Sequence, residues 1–377
     1  MHSNFPRLLA VSLALSTWVA AAETPHSSIG MAVQKEIKDG RFPGAVVLVG
    51  TRTAVLYHEA FGEAQVVPER VPMRKDSIFD MASVTKPVCT GTALGICRDR
   101  GLIDPDGRLL TYLPDHHGQG IEAITLRHLA AHVSGFPDSP RVSYGSTLKG
   151  DAIFRRLLMD SPKRPVNTQF EYSCRNLILL STVVERVTEK AFGEFCQKEI
   201  FDVLEMKDAR FNQAADLERA VATHHPVRGE NHNADGRDAA RAIGNAGLFC
   251  TARDLSHFCE MMLGWGEWRG KRILSRETIE EFIRPYPQPG LTGHAFTWEV
   301  STESTHRPKR MQSRAYGHSG STGISLWIDP DLQVYTLVLT NRTHPVRHAK
   351  DSEQGREEYR ARSRIADASL SALGFGR

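Results

Sequence analysis

Apolar and polar positions along this chain change period from region to region, and the changes mark its elements. An amphipathic stretch at 29–39 leads into Ala45-Val46-Val47-Leu48-Val49, an unbroken apolar run that predicts a buried strand. Gly50 then separates it from Thr53-Ala54-Val55-Leu56-Tyr57, and the two runs predict an antiparallel hairpin. A second hairpin is predicted far downstream, from Ile324-Ser325-Leu326-Trp327-Ile328 and Val334-Tyr335-Thr336-Leu337-Val338-Leu339. The turn formers Asp329-Pro330-Asp331 join its strands. Helical periodicity dominates between these regions, at 84–100, 126–132, 177–187 and 252–263. The last helix, at 357–373, offers Ile365, Leu370 and Leu373 as one apolar face to cover a sheet. Strands at both ends with helices between them predict a two-lobed α+β fold. An antiparallel sheet built from distant pieces of chain is flanked by helices, and an all-helical lobe, roughly 85–250, is inserted in it.

The first residues carry a different pattern. Arg7 precedes a mostly apolar run at 8–19 and the small residues Ala20-Ala21-Ala22, which reads as a secretory signal over 1–22 ahead of a single domain over 23–377. The alternative is an uncleaved anchor or a short buried helix; the run is shorter than the roughly 20 residues of a membrane span. The expected compartment is periplasmic or extracellular, with no membrane span left after cleavage. A net charge of +3 and the lack of a basic run interleaved with aromatics argue against a nucleic-acid partner. Six cysteines at 89, 97, 174, 196, 250 and 259 include no C-x-x-C pair, and a chain of 377 residues needs no disulfide scaffold, so buried free thiols are expected.

Chemistry concentrates at Phe79-Asp80-Met81-Ala82-Ser83-Val84-Thr85-Lys86-Pro87. An i, i+3 spacing places Ser83 and Lys86 on one helical face, roughly 5–6 Å apart at Cβ. A serine hydroxyl is a weak nucleophile, and a neighbouring amine held neutral by desolvation can take its proton. A helix beginning at the serine also aims free backbone N–H groups at the reacting centre.

With Tyr172-Ser173-Cys174 and His318-Ser319-Gly320 following in that order, the chain resembles the penicillin-recognising serine hydrolases, in particular the branch of class C β-lactamases, DD-peptidases and esterases. The resemblance runs from about residue 44 to 345, and Thr125-Leu126-Arg127-His128-Leu129 and Ser134-Gly135-Phe136-Pro137 add to it. It implies a β-lactamase/transpeptidase-like fold and an acyl-enzyme on Ser83, with Lys86 and Tyr172 as general base and acid. It further implies an oxyanion hole from the N–H groups of Ser83 and Ser321, a substrate edge at Cys174, His318, Ser319, Gly320 and Ser321, and neither metal nor cofactor. The substrates it implies are a small ester, a β-lactam or a peptidoglycan peptide.

Two positions depart from the family pattern. Cys174 stands where asparagine is usual, with Asn176 as the nearby alternative amide. His318 stands where β-lactam specialists carry lysine, exchanging a fixed charge for one that titrates near neutrality; it serves either to bind a carboxylate or to assist the proton network. Both changes favour esters or peptides over β-lactams. His128 and His132 have zinc-ligand spacing but lack the glutamate after the first histidine. The polar stretch holding His224, His225, His232, Asp235 and Asp238 offers metal-ligating types but reads rather as a surface or cleft-edge loop. The competing reading of the whole chain is a silent relative that binds cell-wall peptides or a partner in the same cleft.

Overall fold

The computed structural model describes residues 24–138, 148–287, 293–301, 303–304 and 306–376, and the signal segment expected at 1–22 lies outside them. Helix α1 (Pro25–Lys38) is capped by the Thr24 hydroxyl and runs into β1 (Gly44–Thr51), β2 (Val55–Gln65) and the short β3 (Val71–Pro72). Further helices are α2 (Thr92–Asp99), α3 (Cys174–Thr188) and α4 (Ala252–Leu263). The chain returns to the sheet as β4 (Tyr316–Gly320), β5 (Ile324–Asp329) and β6 (Val334–Thr340), and closes with α5 (Glu353–Ala372). The sheet has the order β4-β5-β6-β1-β2-β3, and every pair in it is antiparallel. Val47 of β1 faces Val338 on one side and Glu59 on the other, so the two ends of the chain meet at the centre of the sheet.

The unbroken apolar run in β1 has a direct cause: both sheet faces are covered. Ala45, Val47 and Val49 pack with Ile29 and Val33 of α1 and with Ile365 and Leu370 of α5. Val46 and Leu48 point the other way, into the large core shared with Leu255 and Phe258 of α4 and the helical lobe. Each of these Val, Leu, Ile and Phe side chains taken fully out of water contributes about 1.5–3 kcal/mol. Helix α4 begins at a capping box, Thr251 accepting from the Asp254 amide while the Asp254 carboxylate accepts from the Thr251 amide.

One local expectation is corrected. The helix expected over 84–100 is not continuous: a 3₁₀ turn at Ala82–Val84 is followed by a wide π-type turn at Lys86–Gly91 before α2 begins. Wide turns of this kind concentrate at functional sites. His318-Ser319-Gly320 forms the edge strand β4, His318 facing Leu326 and Gly320 facing Ile324. Its glycines hide any strand propensity, and pairing with β5 imposes the conformation.

A second, three-stranded sheet fixes the site. Leu248–Cys250 lies between Phe79–Asp80 and Arg210–Phe211, so the segment entering the Ser83 turn is bonded to the one leaving Asn245. The amide of Met81 donates to the Leu248 carbonyl at 2.8 Å, and the Leu248 amide donates to the Thr85 hydroxyl at 3.1 Å.

Candidate active site

Ser83, Tyr172, Cys174, His318, Ser319 and Ser321 line one cleft of about 660 Å³. Lys86 is fully buried beneath it, and its Nζ donates to Ser83 Oγ at 2.9 Å and to the Asn245 carbonyl at 2.8 Å. The Tyr172 phenol stands beside both, close enough for Lys86 and Ser83 each to act on its pKa, and Lys86 Nζ lies 5.0 Å from the centre of its ring. Ser83 and Tyr172 remain partly open to the cleft while the amine does not. Gly320 lies close behind the nucleophile: a Cβ there would stand 2.6 Å from the Met81 carbonyl oxygen. Strand β4 approaches the serine turn this closely because no side chain intervenes. Ala82, immediately before Ser83, holds a left-handed φ of 48°, a conformation a side-chain-bearing residue adopts at a cost of about 1–3 kcal/mol.

The electrostatics correct the expected neutral amine. Burial pushes the Lys86 pKa down, but the neighbouring Cys174 and Tyr172 groups push it up by more, so the amine stays an ammonium. Burial raises the Tyr172 phenol, and the Lys86 charge draws it only part of the way back. As an ammonium, Lys86 can only donate, so Ser83 Oγ accepts its hydrogen bond.

His318 is corrected as well. Burial, with Lys86 adding to it, lowers the imidazole to about 3, so the ring is neutral across the neutral range and carries no charge for a carboxylate. Its Nδ1 sits 2.9 Å from the Ser319 carbonyl, which can only accept, so Nδ1 holds the proton and Nε2 keeps a lone pair. Asn176 does not replace the amide lost at Cys174. It is fully buried, accepts from Ser134 Oγ at 2.8 Å and lies 3.4 Å from His132 Nδ1. Cys174 begins α3 half-exposed in the cleft, and the other five cysteines are buried; all six are free, as expected.

Several participants were not singled out from sequence as parts of the site. The carbonyl of Asn245 holds Lys86 through a backbone atom, which leaves no trace in residue type. His132, weighed only as a zinc ligand, stacks on Tyr172 with ring centres 4.4 Å apart and accepts from the Ser173 amide through Nδ1. Its former companion His128 completes a capping box with Thr125, and the helix carrying it ends at Ala130, so the two histidines do not share a helical face. His232, placed in a surface or cleft-edge loop, lines the cleft and bonds the Asp80 carboxylate. Glu299, His294 and His306 form another wall, where the histidine partners hold the Glu299 carboxyl down at about 2 against the effect of burial. Asp138, Asp235 and Glu299 line the cleft together with Arg347 and Lys350, so its walls carry both signs of charge.

A mixed fold of this kind, with a serine, a lysine and a tyrosine converging on an open cleft, defines a class of serine hydrolases. The Beta-lactamase family model matches residues 30–360, and the chain belongs to that family. Among curated proteins it is similar to the N-acetylmuramyl-L-alanine amidase of Bacillus subtilis (strain 168), 25% identical over 355 residues that cover 83% of this chain and 80% of the relative. Among solved structures it resembles EstCE1, a hydrolase with promiscuous acyltransferase activity. There the TM-score is 0.73 at 20% identity, over 91% of this chain and 98% of EstCE1. It also resembles a class C β-lactamase from Rhodobacter sphaeroides, with a TM-score of 0.71 at 20% identity over 92% and 99% of the two chains.

Proposed function

We propose that this chain is an exported serine hydrolase that cleaves carboxylic esters or amides through an acyl-enzyme on Ser83. The observation that carries the reading is the 2.9 Å contact of Lys86 Nζ with Ser83 Oγ, at the floor of an open cleft and beside the Tyr172 phenol. Ser83 Oγ attacks the acyl carbonyl as its proton passes to the Tyr172 oxygen, which must first be a phenolate. The Lys86 charge stabilises that phenolate. Tyr172 then returns the proton to the leaving alcohol or amine. Water, deprotonated by the same oxygen, attacks the ester on Ser83, and Tyr172 returns that proton to Ser83 Oγ as the acid leaves. The amides of Ser83 and Ser321 stabilise the oxyanion in both halves.

The cleft favours esters over β-lactams. Cys174 offers no amide, Asn176 is committed to Ser134, and His318 is neutral, so two contacts that a β-lactam specialist uses are lacking. A peptidoglycan-related substrate is supported by the amidase relative and by the family. Intact-protein mass spectrometry after a fluorophosphonate tests the nucleophile: wild type gains one adduct and Ser83→Ala gains none. Turnover of a short p-nitrophenyl ester, a D-Ala-D-Ala peptide and nitrocefin by one preparation then ranks the substrates. The ester is expected ahead of nitrocefin, and nitrocefin turnover exceeding that of the ester would reverse the reading of Cys174 and His318.

A further inference from the structure

Asp80 lies outside the lysine–tyrosine pair, yet its carboxylate touches both sides of the reacting centre. The side chain is fully buried. Its Oδ1 accepts from the Ala82 amide at 2.9 Å, directly before the nucleophile. Its Oδ2 accepts from the His232 backbone amide at 2.9 Å and from His232 Nδ1 at 2.8 Å. A carboxylate can only accept here, so Nδ1 carries the proton, and in the neutral ring Nε2 is left to accept from the Ser321 hydroxyl at 3.2 Å. The backbone carbonyl of Asp80 accepts from the Thr322 hydroxyl at 2.7 Å. From the opposite side Arg342, itself paired with Glu358, donates to the Ser321 carbonyl at 2.6 Å. Ser321 is thus fixed by its hydroxyl and its carbonyl, while its amide donates to no acceptor among the described residues.

We infer that Asp80 and His232 are positioning residues that set the separation of the two oxyanion-binding amides, holding the Ser83 turn through Ala82 and the β4–β5 turn through Ser321 and Thr322. The inference rests on the reading of Ser83 as the nucleophile. A preset hole matters because its donors stabilise the transition state only when they already stand where the oxyanion will form. The strained Ala82 backbone supports the same view, since its left-handed conformation persists with the Asp80 bond to its amide. Asp80, His232 and Ser321 also have the order of a nucleophile-activating triad. The commitment of one carboxylate oxygen to the Ser83 turn favours positioning, because an independent triad has no use for that bond.

The test compares wild type with His232→Gln, Ser321→Ala and Asp80→Asn on a short aryl ester and on its thionoester, which puts a larger and weaker acceptor into the hole. His232→Gln is expected to lower kcat on the ester about 10–100-fold, a loss below or near that of deleting one hole donor. KM and the thermal midpoint should stay close to wild type, and the preference for the ester over the thionoester should narrow. Ser321→Ala, which keeps the amide, should narrow it in the same direction. If buried Asp80→Asn does not fold, His232→Gln decides alone. An unchanged kcat and an unchanged ester-to-thionoester ratio in His232→Gln, with Ser83→Ala inactive, overturn the positioning role and leave the nucleophile standing. Wild-type turnover by Ser83→Ala overturns both. A fluorophosphonate adduct at Ser321 in Ser83→Ala would make Ser321 a nucleophile and overturn the positioning role.

Discussion

At the scale of single residues, the central fact is that Lys86 donates to the serine instead of accepting from it. Its pKa is raised on balance, with Cys174 and Tyr172 outweighing burial, and the Tyr172 phenol is raised by burial. The form able to take the Ser83 proton is the pair less one proton, so it grows as pH rises. The expected kcat/KM for a short ester therefore climbs through the alkaline range, close to tenfold per pH unit, with no plateau near 7. A pH–rate profile from 6 to 10 on folded enzyme checks this, and a plateau already reached at neutral pH would return the base role to a neutral amine. Lys86→Met should remove the charge that favours the phenolate and leave Ser83 without its donor. Its turnover is expected to fall by at least about 10²-fold, the lower range for losing a group that acts in proton transfer.

At the scale of elements, the spacing between β4 and the serine turn decides whether the site exists. Gly320→Ala would place its Cβ 2.6 Å from the Met81 carbonyl and 3.0 Å from the Ile324 Cβ, so strand or turn must shift. The expected cost is about 1–3 kcal/mol of stability, as for other overpacked sites, accompanied by a clear loss of ester turnover. Thermal melts and kinetics on one preparation separate the two effects. On the far side of the same turn, Arg342 and Glu358 form an ion pair that is almost wholly buried. Replacing Glu358 by Gln leaves an uncompensated guanidinium in the interior and should destabilise the fold by about 3–5 kcal/mol, measurable by denaturant titration. Because Arg342 also holds the Ser321 carbonyl, any folded fraction of that variant should turn over ester more slowly.

Across the whole molecule, folding buries histidines as neutral rings. Burial lowers His116, His294 and His344 to about 4 and His318 to about 3, from 6.5 in the unfolded chain. Between pH 6.5 and about 4 the unfolded chain binds protons that the folded one refuses, so stability falls as pH drops through that window. A thermal midpoint several degrees lower at pH 5 than at pH 7 is expected, and His344→Gln should flatten part of the slope. A midpoint independent of pH over that range would contradict the burial of these rings.

Sequence alone determined the parts of this protein that depend on local pattern. Apolar runs at 45–49, 324–328 and 334–339 became central strands, the amphipathic ends became α1 and α5, Ser83 and Lys86 stood out by residue type and spacing, and the family resemblance added Tyr172 and His318. Tertiary structure decided whatever depends on contacts between distant residues. The Asn245 carbonyl, the stacking of His132 on Tyr172, and the bond between Asp80 and His232, 152 positions apart, leave no periodic signal. The protonation of Lys86 and His318 belongs to the same group, because a pKa depends on burial and neighbouring charges. Residue types set which groups can react; only the folded surroundings set which of them hold a proton.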